Sequence, residues 1–205
     1  MMRPANDAGP AVHDPVAAAK QAARAAAKAA RAAIPADAAA AHAAAVVDPF
    51  LAAFPDLAPG TVVAGYWPLA GELDVRPLLR ALAGRGVHTG LPVVAGRGWP
   101  LTFRLWREGH PLVPGPFRVM EPMRDAPVVR PDIVLVPLLA YDPRGMRLGY
   151  GAGFYDRTLA ALREEGPVMA VGVAHAAQGV AQVPTDPYDQ KLDLLLTERG
   201  LTRFP

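Results

Sequence analysis

"DIVLVPLLAYDPRGMRLGYGAGFYDRTLAAL", residues Asp132 to Leu162, carries the pattern that decides the fold. Its aliphatic opening reads as a strand buried on both faces. Its end, continued as "FYDRTLAALREEG", reads as a helix that stops at Gly166. Between them lies a tract with glycine at 149, 151 and 153. That spacing is neither the G-x-G-x-x-G dinucleotide fingerprint nor the P-loop, which ends in Lys-Ser/Thr. A strand joined to a helix by such a connection belongs to a βαβ unit, and ligands of such sheets collect at the carboxyl ends of the strands.

Working outward, "TVVAGYWPL", "VHTGLPVV", "LTFRLW", "VMAVGVA" and "LDLLLT" read as further short strands, the last of them the final strand. Between the first two, "LDVRPLLRALAGRG" sets Val75, Leu78, Leu79 and Leu82 on one helical face, with Asp74 at the N-cap and Gly84 near the end. The stretch from Arg107 to Arg130 has five prolines and little periodicity, so it reads as a long surface excursion. Before Gly60 the chain is rich in alanine. Pro15 to Ala33 reads as a helix capped by Asp14, Pro35 ends it, and a second helix is predicted from Asp37 to Phe54. Residues 1–14 read as a flexible leader and 15–205 as a single α/β catalytic domain. Its expected architecture is an open, mainly parallel sheet flanked by helices.

Composition narrows the function classes. The 205 residues suffice for one domain with a sizeable core. With 23 prolines and 19 glycines the chain stays below the roughly 25–30% Pro and Gly of disordered chains. There is no cysteine, which excludes disulfides and thiolate metal sites. No apolar run reaches membrane-spanning length, and the expectation is a soluble, cytoplasmic monomer. A net charge of +2 does not argue for a nucleic-acid partner, and none is expected, nor a membrane.

The glycine tract is the first chemical device. Glycine admits positive φ and close approach to the main chain, so successive N–H groups can form an anion nest ahead of a helix N-terminus. Arg147 at its start can add a bidentate clamp on phosphate. A carboxylate at Asp156 would repel that phosphate unless a cation lay between, and Mg²⁺ is held in this way. The alternative is that Asp156 merely complements the helix macrodipole. Asp189 can be a second metal ligand or a turn cap, and Glu72 a substrate-side acid or an ordinary acid at a helix start. Lys20, Arg24, Lys28 and Arg31 fall at about 0, 40, 80 and 20° around one helix, a stripe that suits polyphosphate, a solvated face or non-specific nucleic-acid binding.

The segment "LVPLLAYDPRGMRLGYGAGFYDRTL", with "YWPLAGELD", "FRLWREGHPLVPGPFRVMEP" and "VGVAHAAQGVAQVPTDPYDQKLDLLLTE", resembles the 5-formyltetrahydrofolate cyclo-ligase (5,10-methenyltetrahydrofolate synthetase) family over nearly everything after the leader. The resemblance implies an α/β fold of the sugar-phosphate isomerase and CoA transferase type. It implies a ligase that closes 5-formyltetrahydrofolate to 5,10-methenyltetrahydrofolate with ATP and Mg²⁺, releasing ADP and phosphate.

By the same resemblance, Lys20, Gln21, Arg24, Arg147, Leu148, Gly149, Tyr150, Gly151, Ala152, Gly153, Phe154 and Tyr155 are ATP-binding positions. Arg147 and Tyr155 are the catalytic candidates. Glu72, Trp106, Phe117 and Glu121 are substrate-binding, together with Tyr150, Gly151, Ala152, Gly153 and Phe154. Asp156 and Asp189 are the metal ligands. Three departures stand out: Ala152 where members carry lysine or glycine, Ala23 where leucine is usual, and His175 where an aromatic is usual.

The residue types suit the chemistry. Phosphorylating the formyl oxygen makes it a leaving group, and N10 can then attack intramolecularly. Such a transfer needs positioning and charge neutralisation rather than a nucleophilic side chain. The chain has neither cysteine nor serine to supply one. Two rivals share these features: an isomerase-like enzyme that needs no ATP, which would leave the helix cations and the two acids unused, and a non-catalytic binding module.

Overall fold

The computed structural model describes residues 14–205, so the expected leader lies outside the described residues except for Asp14. Helix α1 (Pro15–Ala32) starts where the sequence predicts, with the Asp14 carboxylate accepting the Val16 N–H at 2.9 Å. The second alanine-rich helix is in fact two, α2 (Ala36–Ala45) and α3 (Val47–Ala53). Pro49 accounts for the break: it has no N–H for the Ala45 carbonyl, and its ring crowds that carbonyl.

There follow β1 (Val62–Ala64), α4 (Arg76–Gly84), β2 (His88–Val94), β3 (Leu101–Leu105), β4 (Leu112–Pro114), β5 (Met120–Pro122), β6 (Val128–Val129), β7 (Ile133–Pro137), β8 (Ala140–Tyr141), β9 (Arg147–Leu148), α5 (Phe154–Glu165), β10 (Met169–Val173), β11 (Leu194–Thr197) and β12 (Gly200–Arg203). The main sheet runs β12-β11-β10-β7-β1-β2-β3-β6. Its central pairs, from β11 to β2, are parallel, and β12, β3 and β6 add antiparallel edges.

Three local expectations are corrected. β11 is not the last strand, because Glu198 and Arg199 turn the chain back into β12. The proline-rich excursion holds the β4–β5 hairpin, and its end supplies edge strand β6. "DIVLVPLLA" is not one strand: it stops at Pro137 and resumes as β8, which pairs with β9 immediately before the glycine tract.

Alternation along the central strands feeds two cores. Val63, Leu135, Val171, Leu194 and Leu196 pack with Phe50, Leu78, Leu79 and Leu82 of the α2–α4 layer. Their neighbours Ala64, Val134, Val136, Ala170 and Leu195 pack with Leu159 and Leu162 of α5. Burial on both faces is why these strands read as unbroken aliphatic runs. Helix α1 sits apart from both layers, its Ala27 packed with Leu139, Ala140, Leu148 and Val183 around the β8–β9 hairpin. From β1 the chain winds to β2 on one side, while from β7 it winds to β10 and β11 on the other. The crevice of such a sheet opens at the carboxyl ends of β1 and β7. Among the described residues no helix is long and apolar enough to cross a membrane.

Candidate active site

A cleft of about 950 Å³ opens at that point, walled by the loop after β1, the glycine tract, α1 and the segment from Asp186 to Gln190. The glycine tract is delivered by a turn built on Asp142, whose side chain is fully buried. Its Oδ1 accepts N–H groups of Arg144 at 2.9 Å and Met146 at 3.2 Å, and its Oδ2 accepts the Val183 N–H at 2.9 Å. Burial alone would raise the Asp142 pKa. The Arg144 guanidinium and these N–H groups outweigh burial and hold it below the ordinary range. At Gly145, φ is +82° and a Cβ would meet the Phe204 ring at 2.9 Å, so only glycine closes the turn.

Beyond β9 the backbone is free. The N–H groups of Gly149, Tyr150, Gly151, Ala152 and Gly153 have no acceptor among the described residues. Gly153, with φ +67°, opens α5 without a side-chain cap. Unpaired donors gathered at a helix N-terminus are what an anion requires. Arg24 Nε donates to the Gly149 carbonyl at 2.9 Å. At Gly151, φ is +103° and a Cβ would stand 3.1 Å from the Arg24 guanidinium carbon.

The acids stand beside this nest. Lys20 Nζ bridges Asp186 Oδ2 and Asp189 Oδ2, both at 2.6 Å. Burial would lower the Lys20 pKa, but bonding to Asp186 and Asp189 raises it. Asp156 Oδ1 accepts from Arg147 Nη2 at 2.6 Å and from the N–H of Gln190, the residue after Asp189, at 3.1 Å. Asp156 and Asp189 are thereby held in neighbouring positions on one wall, each bonded to a cation of the protein itself. Their donors are hard carboxylate oxygens, the set that suits Mg²⁺.

The opposite end of the cleft is aromatic. The Tyr150 hydroxyl donates to Glu72 Oε1 at 2.8 Å and accepts from Arg31 Nη1 at 2.6 Å. Glu72 also accepts the Leu69 N–H at 2.8 Å. Burial lifts the Glu72 pKa above the ordinary carboxylate range, against these hydrogen bonds and Arg31. Burial, with Glu72 nearby, pushes Tyr150 up to about 12 and Tyr155 well beyond its ordinary value. Phe117 is held at φ +60°, a strained conformation for its side chain, with its ring edge-on to Phe154 at 5.7 Å.

Lys20, Arg24, Glu72, Phe117, Asp189 and the run from Arg147 to Asp156 all line the cleft. Three expected positions do not. Gln21 is exposed and outside the cleft lining. Trp106 is buried, its ring edge-on to Trp67 at 6.0 Å, so Trp67 presents the indole instead. Glu121 is buried behind the wall, where it accepts the Val94 N–H at 3.0 Å. Arg147 lines the cleft but is not a free clamp: its side chain is 5% exposed and is committed to Asp156 and the Gln190 carbonyl. Sequence reading missed Asp186, Arg31 in its bonded role, and Tyr66. The spacing of Asp186 to Asp189 and the place of Arg31 in the α1 stripe were the available signals.

Ala152 leaves the loop without an ammonium. Arg157 stands next to it, donating to the Ala152 carbonyl at 2.7 Å with its guanidinium 5.5 Å from the Phe154 ring centre.

Comparison with known proteins identifies the family. The model of the 5-formyltetrahydrofolate cyclo-ligase family matches residues 16–198. The 5-formyltetrahydrofolate cyclo-ligase of Escherichia coli K12 is 34% identical over 152 residues, covering 70% of this chain and 81% of that protein. That of Mycolicibacterium smegmatis is 35% identical over 151 residues, covering 69% and 76%. The solution structure of Aquifex aeolicus 5,10-methenyltetrahydrofolate synthetase superposes with a TM-score of 0.73 at 29% identity, covering 90% of this chain and 92% of that one. With its open α/β sheet, the acids and cations of its switch-point cleft and these matches, the chain belongs to the 5-formyltetrahydrofolate cyclo-ligase family, and is an enzyme of the ligase class.

Proposed function

We propose that the chain closes 5-formyltetrahydrofolate to 5,10-methenyltetrahydrofolate with consumption of Mg-ATP and release of ADP and phosphate. The observation that carries this reading is one cleft with two chemically distinct ends: unpaired backbone donors with Lys20, Arg24 and two carboxylates at one, aromatics with Glu72 at the other. The N–H groups from Gly149 to Gly153 bind the triphosphate, and Lys20 and Arg24 face it. Arg157 supplies the charge that Ala152 cannot. Asp156 and Asp189 would hold Mg²⁺, which supplies charge neutralisation between phosphate oxygens; Arg147 is a positioning residue that orients Asp156. Lys20, paired here with Asp186 and Asp189, would be free to turn to phosphate if those acids held a cation.

At the other end Glu72, oriented by Tyr150 and the Leu69 N–H, accepts from the pterin. Phe117 and Phe154 hold its ring, and Tyr155, kept protonated by burial, is a neutral hydrogen-bond donor. The formyl oxygen takes the γ-phosphoryl group as its bond to ADP breaks, N10 adds to the formyl carbon and releases its proton to water, and the C–O bond to phosphate breaks. Placing the two reactants in one cleft is the main contribution of the protein to this step. The test follows methenyl product by its absorbance with and without ATP. Product that requires ATP and Mg²⁺ supports the reading, and product formation that ignores ATP refutes it.

A further inference from the structure

Outside the lining of the cleft, three side chains from separate elements converge: His42 of α2, His175 just past β10, and Glu198 in the β11–β12 turn. Their ligand atoms lie within 4.8 Å of one another, and among the described residues no other group of three or more His, Asp or Glu meets that condition. His42 Nδ1 and His175 Nδ1 share a hydrogen bond at 2.8 Å, and His42 Nδ1 lies 3.8 Å from Glu198 Oε2. Two imidazole nitrogens thus face one point beside a carboxylate. His175 is fully buried. The surroundings fix the donors in place. Glu198 Oε2 accepts the main-chain N–H of Ala176 at 2.9 Å, and the main-chain N–H of His175 donates to Gln178 Oε1 at 2.8 Å.

We propose that His42, His175 and Glu198 form a binding site for a divalent transition metal of the zinc type. Tetrahedral zinc with bonds of ~2.0–2.2 Å sets neighbouring ligand atoms ~3.3 Å apart. The observed 2.8 and 3.8 Å bracket that spacing, so small side-chain rotations complete the set. Two imidazoles and one carboxylate suit zinc, nickel or cobalt, whereas Mg²⁺ prefers an all-oxygen shell. Water takes the fourth position on the side where His42 and Glu198 remain partly exposed. The ion is structural: it ties α2 to the carboxyl edge of the sheet. Gln178, three residues past His175, donates to the Leu138 and Leu139 carbonyls at the root of the hairpin that carries the glycine tract.

The experiment strips the full-length protein of metal and titrates it with Zn²⁺ against a chromophoric chelator. Thermal melting and Co²⁺ absorption are recorded alongside. One zinc per chain is expected, with a raised Tm and the visible bands of four-coordinate cobalt. In His42→Ala and Glu198→Gln, both at the partly exposed rim and checked for folding by circular dichroism, affinity falls by at least ~10-fold and the Tm rise disappears. Asp189→Asn keeps the zinc site, which separates it from the acids of the cleft. No zinc held against the chelator, wild-type affinity in either rim variant, or loss of zinc in Asp189→Asn alone would overturn the assignment.

Discussion

At the residue scale the account rests on carboxylates whose surroundings differ. Asp142 is structural: Asp142→Ala orphans the main-chain N–H groups of Arg144, Met146 and Val183 and is expected to cost about 3 kcal/mol in chemical denaturation. Its pKa is depressed in the folded state, so its contribution is fully present above the ordinary aspartate value of about 3.9 and is lost as pH falls through the lower folded value. Glu72 has the opposite sign: its folded pKa is raised, so its contribution is present below the ordinary glutamate range and is lost as pH rises through the raised value. Asp156→Asn should keep the fold but lower the Tm, because the buried Arg147 guanidinium loses its counter-charge, and should lower Mg-dependent turnover by at least ~100-fold. Turnover retained at ordinary magnesium would remove Asp156 from the metal site. Tyr150→Phe breaks the relay between Arg31 and Glu72, and a rise of roughly 3–10-fold in the folate KM, with little change in the ATP KM, is expected from the loss of about 1 kcal/mol of hydrogen bonding.

Elements explain both what the sequence disclosed and what it hid. The α1 stripe was legible because cations four residues apart must share a face. The structure shows why its members differ: Lys20 and Arg31 are buried against partners, Arg24 crosses the glycine tract, and Lys28 faces solvent. Lys20→Ala should therefore raise the ATP KM more than the folate KM, and equal effects in steady-state kinetics would assign Lys20 a structural role. Gly151→Ala meets both an unfavourable φ and the Arg24 guanidinium, so a higher ATP KM and a loss of about 1 kcal/mol or more in stability are expected. The hairpin that delivers the glycine tract was not legible, since two-residue strands carry no period of their own. The split of the second helix at Pro49 was written in the chain but masked by uniformly helix-forming alanines.

For the whole molecule, the aliphatic strands and their alternation with helices disclosed the parallel sheet, because burial on both faces leaves no other composition for a strand. Positions within the site were legible where chemistry demanded one residue type, as in the glycine tract, Asp156, Asp189 and Glu72. They were not legible where packing decides: nothing in the sequence told that Trp106 lies behind Trp67, that Glu121 supports a strand, or that Arg147 is spent on Asp156. The central claim is that unpaired main-chain donors hold the triphosphate, and the most direct test is a Mg-ATP titration of isotopically labelled protein followed at its backbone amides. The resonances of Gly149, Gly151 and Gly153 should shift saturably together, with the same midpoint as nucleotide binding; saturation of the protein with nucleotide while those three resonances stay in place would contradict the account.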